Sequence, residues 1–265
     1  MKYRVLAADM DGTILRDDKS ISEETISAIR EFREAGGFFI IASGRPLPAM
    51  TGYLKDLAPN APLVTYNGAK IVDCRDGHVL FEEGMLDEDA ILLMKEGEKR
   101  GHTVIVWSDD ILYGNELNEN MRIYVEHTDI VPRKYDSPES FRGRSVTKII
   151  LNDLPEKIAV TRADAEKMNL KCTSWATSGT EYLEFYSSKV SKAVSVGKAA
   201  AMVGCDASQI VAVGDGCNDI PMIRFAGLGV AMGNAAPDEV KEAADYVTDT
   251  NMNDGVAKLI REKIL

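Results

Sequence analysis

YRVLAADMDGT (residues 3–13) is the stretch from which the architecture can be worked out. Its first half is a nearly unbroken apolar run that stops on Asp9. Asp11 and Gly12 then mark a turn. A strand with one wet face alternates apolar and polar side chains, whereas a continuous apolar run fits a central parallel strand buried on both faces. Working outward, Ser22 is placed to cap a helix through about Arg33, with Ile21 and Ile26 at hydrophobic-staple positions. Ile26, Ile29 and Phe32 form its apolar stripe. Gly36-Gly37 ends the helix, and FFIIA (38–42) is a second buried strand that stops at Ser43-Gly44-Arg45. This is one βαβ unit.

A helix is expected over 46–57, a strand near 62–66 followed by Asn67-Gly68, and a hairpin over 69–83 turning at Asp76-Gly77. The pattern then changes. Residues 84–186 hold helical stretches near 87–100 and 155–168 among strand-like runs such as TVIVWS, ILYGNE, VTKIILN and YLEFY. After 187 the first pattern returns: a helix over 191–203, the strand QIVAV (209–213) ending at Gly214-Asp215-Gly216, a helix near 218–226, the strand LGVAM (228–232), a helix over 236–244 and a short strand at 245–248. The expected fold is α/β, a Rossmann-like parallel-sheet core (1–82 and 187–265) interrupted by an inserted α+β domain (83–186).

With 265 residues, 45% of them hydrophobic, the chain is long enough to bury a substantial core. Its net charge of −11 disfavours nucleic acid as a partner, yet a local cationic site can still hold a small phosphorylated molecule. Cys74, Cys172, Cys205 and Cys217 form no C-x-x-C pair and read as reduced thiols. No stretch approaches the roughly 20 apolar residues of a membrane helix, so a cytoplasmic protein without membrane contact is expected. Oligomeric state is not legible.

Ligands of open α/β sheets bind at the carboxyl ends of the strands, where the strand order switches. Three such ends carry unusual polar groups: Asp9-Met10-Asp11-Gly12-Thr13, Ser43-Gly44-Arg45 and Gly214-Asp215-Gly216-Cys217-Asn218-Asp219. Asp9, Asp11, Asp215 and Asp219 brought together would repel one another unless a cation sat among them. All-oxygen ligation by carboxylates and waters suits Mg²⁺, which in turn suits phosphoryl chemistry. One carboxylate can attack phosphorus while a second serves as general acid and base. Gly12 turns the chain, so Asp11 is expected to reach over the substrate from the loop.

Plainer readings compete. Residues 9–20 resemble a calcium loop only in their opening, since Gly12 and Ser20 stand where that pattern does not want them. Asp249-Thr250-Asn251-Met252-Asn253 fails the same comparison and reads as a helix-capping loop. On spacing alone Lys192 reads as a surface lysine. His78, His102 and His127 have no metal spacing. Trp107 with Asp109-Asp110 fits a partly buried aromatic beside a solvated turn better than a substrate contact.

The motifs taken together resemble the haloacid dehalogenase superfamily, specifically the Cof-like phosphatases with a large α/β cap. DMDGT (9–13), ASGR (42–45), Lys192 within SSKVSKAVS, GDGCND (214–219) and GVAMGNA (229–235) carry the likeness in order along nearly the whole chain; Ala193 stands where the family usually has glycine. The resemblance implies Asp9 as nucleophile and Asp11 as general acid/base. It implies Mg²⁺ held by Asp9, the Asp11 carbonyl and Asp215, with Asp219 in support. Phosphoryl oxygens would be bound by Ser43, Gly44, Lys192, Asn218 and the Met10 N–H, with Arg45 as a further motif residue. It also implies a mobile cap over 83–186. The expected reaction is hydrolysis of a small phosphate monoester, a sugar phosphate or phosphorylated cofactor. A hexose phosphomutase and a phospho-ligand-binding protein are the alternatives. A dehalogenase is disfavoured because halide needs no proton from Asp11.

Overall fold

The computed structural model describes residues 1–126, 130–165 and 167–265, so His127 lies outside the described residues. The chain opens with β1 (Val5–Ala8), α1 (Glu23–Glu34) and β2 (Phe38–Ile41). Ser22 caps α1, its hydroxyl accepting from the Thr25 N–H at 3.1 Å. The helix expected over 46–57 is instead a tight turn at Leu47–Ala49 followed by α2 (Thr51–Leu57). Pro46 and Pro48 withhold two backbone donors there. Next come β3 (Leu63–Thr65), β4 (Lys70–Val72) and β5 (Val79–Glu82), neighbours in a small sheet.

The next segment comprises α3 (Asp87–Lys99), β6 (Thr103–Ser108), β7 (Ile111–Gly114), α4 (Glu119–Val125), β8 (Arg133–Lys134), β9 (Val146–Asn152), α5 (Pro155–Ala165), β10 (Thr173–Gly179) and β11 (Tyr182–Ser187). The chain then returns through α6 (Lys192–Met202), β12 (Ile210–Gly214), α7 (Ile220–Phe225), β13 (Leu228–Ala231), α8 (Asp238–Glu242), β14 (Tyr246–Val247) and α9 (Gly255–Leu259). Two compact units result: Met1–Phe81 with Val190–Leu265, and Glu82–Lys189.

In the larger sheet of the first unit the described strands run in the order β14-β13-β12-β1-β2, each parallel to its neighbours. The continuous apolar runs are explained by helices on both faces. Leu6, Ala8, Phe39, Ile41, Val211 and Val213 pack against Ala28, Ile29 and Phe32 of α1 and Val256 and Leu259 of α9. The alternate residues Val5, Ala7, Ile40, Ile210 and Ala212 pack against Val196, Ala199 and Ala200 of α6 and Met222 of α7. The fold is therefore α/β and doubly wound.

The second unit is built on a mainly antiparallel sheet ordered β10-β11-β9-β6-β7-β8. One face presents Val104, Val106, Ile149, Leu151, Leu183 and Phe185 to Leu93 and Met94 of α3 and Ile158 of α5. Trp107, expected to be partly exposed, is buried, and its indole N–H donates to the Tyr124 hydroxyl at 3.0 Å. His102 is also buried, bridging Asp153 and Thr161.

The buried Asp89 carboxylate, in the first turn of α3, accepts from the Lys171 and Cys172 N–H groups and the Thr173 hydroxyl at 2.8–3.1 Å. Burial raises its pKa, but these donors outweigh burial and hold it below the usual carboxylate value. A depressed carboxylate contributes stability above its unfolded pKa and loses that contribution as pH falls through the folded one. Asp89→Asn removes the charge and, with its carbonyl kept at the Oδ2 place, turns its NH₂ toward the Lys171 N–H, which should cost about 1–3 kcal/mol at pH 7. Urea unfolding should show the gap between wild type and variant narrowing once the pH falls below the unfolded value of 3.8.

Candidate active site

The strand order places the site. From β1 the chain winds outward to β2 on one side, and β12 lies on the other with β13 beyond it. The switch falls between β1 and β12, which run in register with Ala8 beside Val213. Asp9 follows β1 and Asp215 follows β12. The Asp9 N–H donates to the Val213 carbonyl at 3.0 Å, tying the two strand ends together.

Asp9, Asp215 and Asp219 each offer a carboxylate oxygen within 4.8 Å of one another. Lys192, at the start of α6, sits between two of them: its ammonium lies 2.5 Å from Asp9 Oδ1 and 2.6 Å from Asp219 Oδ1. The expectation of a surface lysine is overturned, because Lys192 is 1% exposed. A buried ammonium is stable only when paired, and two carboxylates supply the pairing. The second oxygen of Asp219 accepts from the N–H groups of Asp215 and Gly216, so this side chain also shapes its own loop. Thr13 donates to Asp215 Oδ1 at 2.9 Å. Gly12 has φ +74°, and a Cβ there would lie 2.2 Å from Asp215 Oδ2, so only glycine fits.

Asp11 occupies a different environment. Arg45 grips its carboxylate with two hydrogen bonds of 2.6 and 2.8 Å, and Lys19 adds a third at 2.9 Å. Arg45 also donates to the Ala49 carbonyl and stacks over Tyr53. Arg45 therefore faces Asp11, whereas the resemblance grouped it with the phosphate binders. Ser43 is buried, its hydroxyl oxygen accepting from the Arg45 N–H at 3.1 Å. Gly44 lies against the Asn67 amide, and Asn218 donates to Asn67 Oδ1 at 3.0 Å. The Met10 side chain is in the core, while its carbonyl accepts from Thr13 and Leu15.

The electrostatics follow from these surroundings. Burial, then the neighbouring Asp219 and Asp215, push Asp9 well above the ordinary carboxylate value against the pull of Lys192. Burial and Asp219 push Asp215 up to about 6. Burial also opposes ionisation of Asp11, yet Arg45 and then Lys19 overcome it and hold that group down at about 2. Two carboxylates two residues apart are thus shifted in opposite directions.

The sequence points to Asp9, Met10, Asp11, Ser43, Gly44, Arg45, Lys192, Asp215, Asn218 and Asp219, and gives no role to Thr13, Lys19, Asn67 or Asn234. Asn234 donates to the Gly12 carbonyl at 2.8 Å and so props the turn after β1. Thr13, Asn67 and Asn234 lie within or beside motifs at strand ends, which was the available signal. Lys19 had none.

The family model for haloacid dehalogenase-like hydrolases matches residues 6–260. The chain belongs to this family. It is 32% identical to the 5-amino-6-(5-phospho-D-ribitylamino)uracil phosphatase YcsE of Bacillus subtilis over 99% of this chain and 96% of that one. It is 28% identical to the pyridoxal phosphate phosphatase YbhA of Escherichia coli over the full length of both. Among solved structures, a haloacid dehalogenase-like hydrolase from Bacteroides thetaiotaomicron superposes with a TM-score of 0.86 at 26% identity, covering 98% of this chain and 99% of that one. Among the described residues no helix is long and apolar enough to cross a membrane.

These carboxylates could hold a divalent cation, which would bind only their ionised form and so displace their protons. With Asp215 raised to about 6 and Asp9 raised as well, Mg²⁺ should increase the melting temperature clearly at pH 7.5 and much less at pH 5. A thermal-shift titration at the two pH values measures this.

Proposed function

We propose that the chain is a Mg²⁺-dependent phosphoric monoester hydrolase acting on small phosphorylated molecules, with Asp9 as the nucleophile. The observation that carries this reading is the convergence of the Asp9, Asp215 and Asp219 carboxylates at adjacent strand ends, bridged by the buried Lys192. The relatives named as phosphatases of a ribitylaminouracil phosphate and of pyridoxal phosphate support the substrate class.

The donor set is all oxygen and strongly anionic, which fits a hard divalent cation. Asp9, Asp215 and the Asp11 carbonyl are the residues to hold it. Asp219, whose oxygens are engaged by Lys192 and two N–H groups, acts in support. Bound there, Mg²⁺ supplies charge neutralisation at the phosphoryl oxygens.

The remaining steps belong to the chain. Lys192, Ser43 and Asn218 orient the phosphoryl group and offset its charge. An Asp9 carboxylate oxygen attacks phosphorus, forming an aspartyl-phosphate as the bond to the leaving oxygen breaks. Asp11 gives its proton to that oxygen, then takes one from the water that cleaves the acyl-phosphate. Held by Arg45 and Lys19, Asp11 is ionised, the form needed to activate water. To act as the acid it must take up a proton, which an approaching phosphate and a loosened Arg45 contact favour. The Glu82–Lys189 unit is the part proposed to read the leaving group and exclude water.

Purified protein should release phosphate from p-nitrophenyl phosphate with Mg²⁺ and cease to do so with excess EDTA. Asp9→Ala should reduce the rate to background, and Asp11→Asn should lower kcat by about 10²–10⁴-fold. Activity that survives Asp9→Ala would sink the proposal.

A further inference from the structure

The turn after β3 places three successive residues in left-handed backbone. Tyr66, Asn67 and Gly68 have φ of +52°, +57° and +102°. Glycine adopts this freely, asparagine tolerates it, and a bulky tyrosine does so only where its surroundings demand it. The turn contacts the segments that carry the site. The Ser43 N–H donates to the Val64 carbonyl at 2.9 Å, the Tyr66 N–H to the Arg45 carbonyl at 3.1 Å and the Asn67 N–H to the Ser43 carbonyl at 3.0 Å. The Gly68 carbonyl accepts from the Ser195 hydroxyl of α6 at 2.6 Å. A Cβ on Gly68 would lie 2.3 Å from the carbonyl of Ser191, the residue before Lys192.

The Asn67 side chain spans what the backbone leaves apart. It is buried, with its Oδ1 at 3.0 Å from Asn218 Nδ2 and beside Gly44. It therefore links the loop after β2, which carries Ser43, to the loop after β12, which carries Asn218. These loops belong to strands on opposite sides of β1. Asn218 is only partly buried, so without a fixed acceptor its amide can turn toward water.

We propose that Asn67 is a positioning residue that acts through Asn218. Its side-chain carbonyl fixes the Asn218 amide relative to Ser43, keeping the two arms of the phosphate cradle in register. This proposal rests on the phosphatase reading for its catalytic consequence. The contact itself does not depend on that reading.

The test uses the full chain. Asn67→Gly removes the amide while keeping a residue suited to φ +57°. Asn67→Asp keeps an accepting oxygen at the same place. In ¹⁵N–¹H spectra the side-chain NH₂ resonances of Asn218, assigned by their loss in Asn218→Ala, should move in Asn67→Gly and return toward wild type in Asn67→Asp. With p-nitrophenyl phosphate, Asn67→Gly should lower kcat/KM about tenfold, the size of one well-placed hydrogen bond. In an Asn218→Ala background the same change should lower it less than about twofold, because residues acting as one unit are not additive. An unmoved Asn218 resonance in Asn67→Gly, or a full tenfold further loss on top of Asn218→Ala, overturns the proposal. A wild-type protein that releases no phosphate overturns the phosphatase reading alone. The Asn218 resonances, followed with and without inorganic phosphate, then decide the positioning role.

Discussion

Several carboxylates share one small volume at the carboxyl ends of β1 and β12, and much of the first unit answers to that demand. Like charges so close are tolerable only with countercharge, and Lys192 supplies it from inside the fold, fully desolvated between Asp9 and Asp219. The constraint extends beyond the charged groups. Gly12 is needed because Asp215 fills the space where a side chain would go. Thr13 and the N–H groups of Asp215 and Gly216 aim the carboxylate oxygens. Parallel pairing of β1 with β12, buried under helices on both faces, holds the whole arrangement to its spacing.

The contrast between Asp9 and Asp11 is the chemical outcome. Asp9 sits among anions in a dry strand end, whereas Asp11, a turn away, is clasped by Arg45 and Lys19. Environments that push neighbouring titratable groups in opposite directions allow one residue type to serve two roles. Here the separation comes from the backbone: the turn at Gly12 carries Asp11 out of the carboxylate cluster and toward the loop after β2.

Much of this was legible in the sequence. YRVLAAD and FFIIA could only be strands covered on both sides, and three polar strand ends in an α/β pattern had to share one edge of the sheet. The change of pattern near residue 84 and its reversal near 187 marked the inserted segment. What escaped depended on contacts between distant parts of the chain. Lys192 reads as an ordinary lysine until α6 is docked beneath two aspartates. Asn67 reads as a turn residue until Asn218 is brought against it. Arg45 has no visible partner until β2 and the loop after β1 are adjacent. In the second unit, α4 and β10 escape a pattern reading because their periodicity is weak, and Trp107 is buried on β6, a strand paired on both sides, with its indole N–H bonded to a tyrosine 17 residues away.

The bridge between Lys192 and Asp9 joins residues 183 positions apart, and more than half of the intervening stretch is the second unit. This fixes an order of events during synthesis. β1 and β2 emerge early with one edge of β1 open and Asp9 without its countercharge, because β12 and Lys192 have yet to be made. The Glu82–Lys189 segment has its own sheet and core, so it can fold in the meantime on contacts that are local to it. Closure of the first unit waits for the last third of the chain and must pair strands across a long loop, which is the slow kind of folding step. The carboxylate cluster is therefore also the seam at which the first unit is completed.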